Sequence, residues 1–354
     1  MSERKYTALI AGSSGAVGSA LAQELASRPS WRVIGLSRRA PLTPVAGVEY
    51  VQADMSDADD LSAALQPYGA ISHAYYCGRA THAEQIIESA PENVALLVNL
   101  LDVLEASSPE LAHVHLVQGG KCYGVHIGPF KTPARESHPR APIENFNYDQ
   151  EDVLRRRTGN ASWTWSASRP NTVLHFSPGV GRNIVSSLGA YAAICKELGA
   201  SLDFPGPQGA YDSATQLTTL PLLARAMTWV STKDACGNKT FNVTNTDVIR
   251  WNTLWPMLAA HFDVPLGVVR PMRLSNTMAT REPTWQTICH RYGLRQTTLA
   301  EVCNWGYLDA TLERYWDELF SHARIREHGF HEWDDSEARF ATLLGEYQNA
   351  SILP

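Results

Sequence analysis

The sequence predicts an α/β fold, a doubly wound parallel sheet of the Rossmann type with a smaller, mainly helical C-terminal cap. Three observations predict it. A short apolar run, Tyr6 to Ala11, ends in the glycine turn Gly12-Ser13-Ser14-Gly15-Ala16-Val17-Gly18. Apolar segments of strand length then alternate with segments of helical period, as in consecutive βα units. Beyond Ser177-Pro178 the pattern becomes mainly helical and carries most of the tryptophans, including Trp251, Trp255, Trp285, Trp305, Trp316 and Trp333.

Composition narrows the function classes. A chain of 354 residues, 44% hydrophobic and 19% charged, can bury a large core. The net charge of −6 comes without a long basic tract, which argues against a nucleic-acid partner and for small-molecule chemistry. No apolar run approaches the roughly 20 residues of a membrane span. The N-terminus enters a strand pattern directly and not a signal peptide, so the expectation is a cytoplasmic protein. The cysteines at 77, 122, 195, 236, 289 and 303 form no Cys-x-x-Cys pair and read as buried thiols. The sequons at Asn160, Asn238, Asn242 and Asn349 read as chance matches. His328 and His331 lack a carboxylate-and-histidine constellation, so no metal site is expected.

The glycine turn carries the first chemistry. After it, Ala20, Leu21, Leu25 and Ala26 recur at helical spacing, giving strand, turn, helix. The first glycine permits the turn, the second lets a pyrophosphate approach the backbone, and the third lets helix pack on strand. Free N–H groups at the helix start, around Gly15, Ala16 and Val17, then bind phosphate. The next strand, Arg32 to Ser37, ends in Ser37-Arg38-Arg39. A carboxylate there would suit a ribose 2′-hydroxyl, whereas two guanidiniums suit a 2′-phosphate, so the expected cofactor is NADPH. A third strand, Val48 to Ala53, leads to Asp54 and Met55, placed to flank adenine.

Strand four, Ala70 to Tyr76, brings Cys77 and Gly78 to the carboxyl edge of the sheet, where ligands bind in such folds. A long helix follows, with Pro91 near its start and Val94, Leu97, Val98, Leu101 and Leu104 on its core face. Strand five, Ala112 to Gln118, runs into Gly119-Gly120-Lys121-Cys122-Tyr123-Gly124. The segment from Gly124 to Asn145, with Gly128-Pro129-Phe130, reads as a loop over the site. A helix then opens with Asn145-Phe146-Asn147-Tyr148 and ends near 155–158. Strand six, Trp163 to Arg169, leads into Pro170-Asn171-Thr172, expected beside the nicotinamide. A further helix is expected near 184–198, and Thr240 to Val243 should return to the sheet.

The helix at Tyr148 departs from the usual pattern. In short-chain dehydrogenases a catalytic Tyr is followed four residues later by a Lys whose ammonium lowers the phenol's pKa. Here that position is Asp152, and the hydroxyl residue usual at the end of strand five is Gly119. Lys121, two residues further on, supplies a cation close to where substrate and nicotinamide would meet.

Gly-Ser-Ser-Gly-Ala-Val-Gly at 12–18, Gly-Leu-Ser-Arg-Arg at 35–39, Gly-Lys-Cys-Tyr at 120–123 and Asn-Phe-Asn-Tyr-Asp-Gln-Glu-Asp at 145–152 together resemble one family. It is the progesterone 5β-reductase and iridoid synthase-like enone reductases, an atypical branch of the extended short-chain dehydrogenases. The likeness continues through Ala-Ile-Cys-Lys at 193–196, Phe-Asn-Val-Thr-Asn at 241–245, Glu-Pro-Thr-Trp at 282–285 and Glu-His-Gly-Phe at 327–330. The resemblance implies NADPH-dependent reduction of the C=C bond of α,β-unsaturated carbonyl compounds. It carries the catalytic roles to Tyr148 and Lys121, with Tyr148 and Gln118 also beside the cofactor, and places Phe130 and Asn147 at the substrate. Three features depart from the plant pattern. Asn147 replaces an aromatic residue, the segment from Tyr123 to Phe130 is longer, and Gly179-Val180-Gly181-Arg182 replaces bulkier residues.

The expected division is a cofactor domain of residues 1–182 and 212–246 with a substrate cap of 183–211 and 247–354. A homodimer is the common state in this superfamily. Two rival readings carry different sequence demands. A sugar-nucleotide epimerase or dehydratase needs the Lys four residues after Tyr and the strand-five Ser or Thr, and both are absent. A catalytically inactive NADP-sensing protein is favoured by the lost triad and opposed by Lys121 and Tyr148.

Overall fold

A computed structural model describes residues 5–80 and 88–354. The N-terminal part alternates strand and helix: β1 (Tyr6–Ala11), α1 (Ala16–Ala26), β2 (Trp31–Ser37), β3 (Val48–Gln52), α2 (Ala58–Leu65), β4 (His73–Tyr76), α3 (Ala90–Ser107), β5 (His113–Val117), α4 (Phe146–Thr158) and β6 (Thr164–Arg169). A returning strand, Lys239–Asn242, completes a seven-stranded sheet in the order returning strand, β6, β5, β4, β1, β2, β3. All six pairings are parallel. The order reverses between β1 and β4, which opens a crevice at their carboxyl ends.

Strand limits fall within a residue of expectation except for β4, which starts at His73 and not Ala70 because Tyr68 to Ala70 turn out of the preceding helical segment. The sheet is buried on both faces, as parallel sheets are. On one face Leu9, Leu36, Ala74, Leu116 and Trp165 meet α2, α3 and α4. On the other Ile10, Val33, Tyr75 and Phe241 meet α1 and the helix Leu220–Ser231.

That second face also holds polar groups. His113 bonds Thr164 Oγ1 through Nδ1 at 2.9 Å and Ser166 Oγ through Nε2 at 2.7 Å, and His115 bonds Ser166 Oγ and Ser168 Oγ at 2.7 and 3.0 Å. His73 lies one strand away, 6.1 Å from His113 between ring centres. Burial holds all three imidazoles neutral, with pKa values lowered to about 4 for His73 and about 3 for His115.

A separate core gathers α5 (Ile184–Glu197), the helices Trp251–His261, Glu282–Tyr292 and Trp305–Leu312, and the helix Ser336–Asn349. Trp251, Trp255 and Trp285 are buried in it, whereas Trp333 is 64% exposed. The segment carrying Ile325 and Phe330 leaves this core and packs on the sheet.

Candidate active site

The glycine turn is shaped by close backbone approach. Gly12 has φ +88°, and a Cβ on it would lie 2.8 Å from the Cys77 carbonyl carbon. A Cβ on Gly18 would lie 2.3 Å from Gly12 O, which is why helix meets strand only with glycine there. Ser14 and Gly15 are exposed, and among the described residues no side chain caps the first turn of α1. The N–H groups around Ala16 and Val17 therefore face a rim open to an anion. Arg38 and Arg39 are exposed just past β2, with the Ser37 hydroxyl turned to Arg39 O at 2.7 Å. Hydrogen bonds from Ser56, with the Arg38 charge adding to them, hold the Asp54 carboxyl below its ordinary range. Met55 abuts Gly78, where a Cβ would come within 2.7 Å of its Cε. These features fit a dinucleotide lying across the carboxyl edge of the sheet.

At the end of β5 the chain makes a short 3-10 turn, Gly120–Tyr123. Lys121 Nζ donates to Glu88 Oε2 at 2.7 Å, and Arg79 Nη1 lies 3.1 Å from the other oxygen. Burial lowers the pKa of Lys121, Glu88 offsets part of that effect, and the charges of Arg79 and Arg182 reinforce it. Nothing in the sequence singled out Glu88, which lies 33 positions away from the lysine it pairs with.

Asn145 caps α4 by accepting from Asn147 N at 3.1 Å, the role its residue type suits, and its Nδ2 donates to Lys121 O at 3.0 Å. The start of α4 is thus tied to the Lys121 turn. Tyr148 adds a second tie, its hydroxyl donating to Cys122 O at 2.6 Å and accepting from Ala141 N at 2.9 Å. The Arg140 guanidinium covers the ring at 4.9 Å and forms a bidentate pair with Asp152. Burial raises the phenol pKa.

Tyr148 and Lys121, the two residues to which the resemblance carries catalytic roles, are both engaged within the protein. Both hydrogen-bonding directions of the phenol are used, and Lys121 Nζ turns to Glu88. The physical reason is the face of the helix. Tyr148 and Asp152 lie under the strap that carries Arg140, whereas Asn147 and Glu151 lie against the carboxyl ends of β5 and β6. Glu151 meets Gln118 Nε2 at 3.2 Å, Arg169 Nη2 at 3.0 Å and Arg155 Nη2 at 2.7 Å. Burial disfavours the charge of Glu151, but the arginines outweigh it and its pKa is lowered.

The other expected site residues divide. Gln118 is spent on Asn147 O, Glu151 and Arg169, so it bridges helix and strand. Pro170 is buried beside Gly119. Asn171 gives its amide hydrogens to Gln216 O and Glu318 Oε2, both at 2.9 Å, which joins the sheet edge to the C-terminal part. Thr172 lines a small cavity with Thr215, Arg314 and Trp316. Phe130 packs with Tyr123 and Phe320 in an aromatic knot at the loop base. The buried Glu151–Arg169 pair is a feature sequence reading missed. The signal was present in the position of Arg169 at the very end of β6.

A family described as the PRISE-like Rossmann-fold domain matches residues 36–309. The chain belongs to this family. Among relatives of the PRISE-like chain, an (S)-8-oxocitronellyl enol synthase of Nepeta cataria is 32% identical over 100% of this chain and 93% of its own length. A 3-oxo-Δ4,5-steroid 5β-reductase of Arabidopsis thaliana is 32% identical over 98% and 93%, and a short chain dehydrogenase of Penicillium aethiopicum is 29% identical over 98% and 99%. The PRISE-like fold is shared with the Bordetella bronchiseptica enzyme WbmG, solved with NAD and UDP, at a TM-score of 0.67 and 15% identity over 99% and 97% of the two chains. It is likewise shared with a Thermotoga maritima UDP-glucose 4-epimerase at 0.68 and 12%, over 97% and 99%. At such identity these two speak for the fold alone.

Proposed function

We propose that this protein reduces the C=C bond of α,β-unsaturated carbonyl compounds with NADPH. The observation that carries the reading is Lys121, a partly buried cation on the turn after β5, held at the carboxyl edge beside the dinucleotide cradle. The named activities of its plant relatives support it. Bound NADPH would supply the two electrons and the hydrogen delivered to the β-carbon. Gly12, Ser14, Gly15, Ala16, Val17 and Gly18 would hold its pyrophosphate. Ser37, Arg38 and Arg39 would hold the 2′-phosphate, Asp54, Met55 and Gly78 the adenine, and Pro170, Asn171 and Thr172 the nicotinamide side.

The chain's own task is electrostatic. As the β-carbon gains hydrogen, negative charge collects on the carbonyl oxygen, and stabilising that enolate lowers the barrier. Lys121 is the group to do it, and solvent then protonates the α-carbon. Glu88 keeps Lys121 charged in a partly desolvated place. Residues 1–182 with 212–246 serve the cofactor, and 183–211 with 247–354 serve the substrate. Six free thiols and a reduced cofactor suit the cytoplasm.

Oxidation of NADPH followed by its absorbance, with a panel of small cyclic enones and Δ4-3-ketosteroids, tests the reading. Saturable turnover supports it. The engaged Tyr148 phenol favours one alternative, a cofactor sensor without turnover. Its signature is tight NADPH binding with silence across the whole panel.

A further inference from the structure

We infer that α4 contributes an amide to the oxyanion site, from Asn147, and that Tyr148 belongs to the frame around it; this rests on the enone-reductase reading above.

The helix register carries the argument. Residues four apart lie on one helical face, and adjacent residues point about 100° apart. A Tyr and the Lys four residues on meet the sheet edge together when α4 carries the usual pair. In this chain the pair on that face is Asn147 and Glu151. Glu151 is sealed between Gln118, Arg169 and Arg155 at the ends of β5 and β6. Asn147 sits one turn earlier, with its carbonyl bonded by Gln118 Nε2 at 2.9 Å. The Tyr148 and Asp152 pair faces the Arg140 strap instead.

Asn147 also has capacity to spare. One side-chain amide hydrogen goes to Asn145 Oδ1 at 2.8 Å, while the second hydrogen and the side-chain Oδ1 meet no partner among the described residues. The same Asn145 holds Lys121 O, so the amide and the lysine are set by one shared residue. An amide donates a hydrogen bond to an enolate but cannot give up its proton. The α-carbon proton therefore comes from solvent, and no phenol ionisation should enter the rate.

The test uses the full chain with NADPH or NADP⁺. In steady-state kinetics with a turned-over enone, Asn147→Ala and the near-isosteric Asn147→Leu should each lower kcat about 10²-fold with the KM for NADPH held. Tyr148→Phe should lose less than either, and its loss should appear chiefly as a lower melting temperature. Equal kcat in wild type and both Asn147 variants, or a larger loss in Tyr148→Phe, overturns the assignment. A second readout does not need turnover. In the NADP⁺ complex, p-nitrophenolate serves as an oxyanion mimic, and the Asn147 variants should bind it about tenfold more weakly than wild type. Unchanged affinity in them, or no binding to wild type, overturns the inference. Weakened binding in a protein that reduces no enone would uphold it and reject the reductase reading alone.

Discussion

Tyr148 places its hydroxyl 2.6 Å from the carbonyl oxygen of Cys122, the residue after Lys121. Together with Asn145, which binds the carbonyl of Lys121 itself, it pins two successive peptide groups of the 3-10 turn to the start of α4. The turn is a scaffold for one ammonium group.

Removing that group is the direct kinetic test. Lys121→Ala should lower kcat by about 10²-fold to 10³-fold while NADPH binding, followed by fluorescence, stays close to wild type. The pH profile should carry the same signature. Lys121 must be protonated to act, and its pKa is already lowered by burial. Turnover should fall as pH rises through a value below that of an ordinary lysine. Glu88 raises that pKa, so Glu88→Gln should move the falling limb to lower pH still.

Cofactor choice should reside in two exposed guanidiniums. Arg38→Ala and Arg39→Ala should each raise the KM for NADPH, together by about tenfold or more, and leave the KM for NADH nearly unchanged. An equal effect on both cofactors would place the arginines outside the 2′-phosphate site.

Glu151 and Arg169 form an ion pair with both side chains almost fully buried, 5% and 6% exposed. Removing Glu151 leaves the buried Arg169 without its counterion, so Glu151→Gln should cost about 3–5 kcal/mol in chemical denaturation. Replacing both, Glu151→Gln with Arg169→Met, should cost less than Glu151→Gln alone. Additive losses would mean that the two charges do not depend on each other.

The buried imidazoles of His73, His113 and His115 set an acid limit. Each has its folded pKa lowered below the ordinary 6.5, so the unfolded chain binds protons that the folded chain refuses. Their contribution is complete above about pH 6.5 and is lost as pH falls toward 4 and below. Denaturation midpoints measured between pH 7.5 and 4.5 should drop, and His73→Phe should flatten the drop. An unchanged slope in that variant would remove His73 from the account.

Much of the fold could be read from residue pattern because backbone chemistry is local. The glycines at 12, 15 and 18 announce a turn, no larger residue fitting at 12 or 18, and the apolar runs mark β1, β2 and β5 almost to the residue. The opening of a helix at Asn145 was equally legible. The orientation of α4 was not. Asn147 and Tyr148 are neighbours in sequence, and which of them meets the sheet depends on how the helix rotates against β5 and β6. That rotation is fixed by Glu151 with Arg169 and by Arg140 with Asp152, contacts between segments that no local pattern links. Tyr148 is the conspicuous residue in the sequence, and only the packed helix places Asn147 and Glu151 toward Gln118. Glu88 escaped notice for a similar reason, since its meeting with Lys121 comes from the stacking of β4 beside β5.

The double duty of Asn145 bears on how new specificities could be built into this protein. Because one side chain both starts α4 and holds the lysine turn, a transplanted 124–145 loop brings its own anchor and resets the Lys121 ammonium with it. The segment that can be exchanged without that penalty is longer than the loop, and runs from Gly120 through Glu151 as a single cassette.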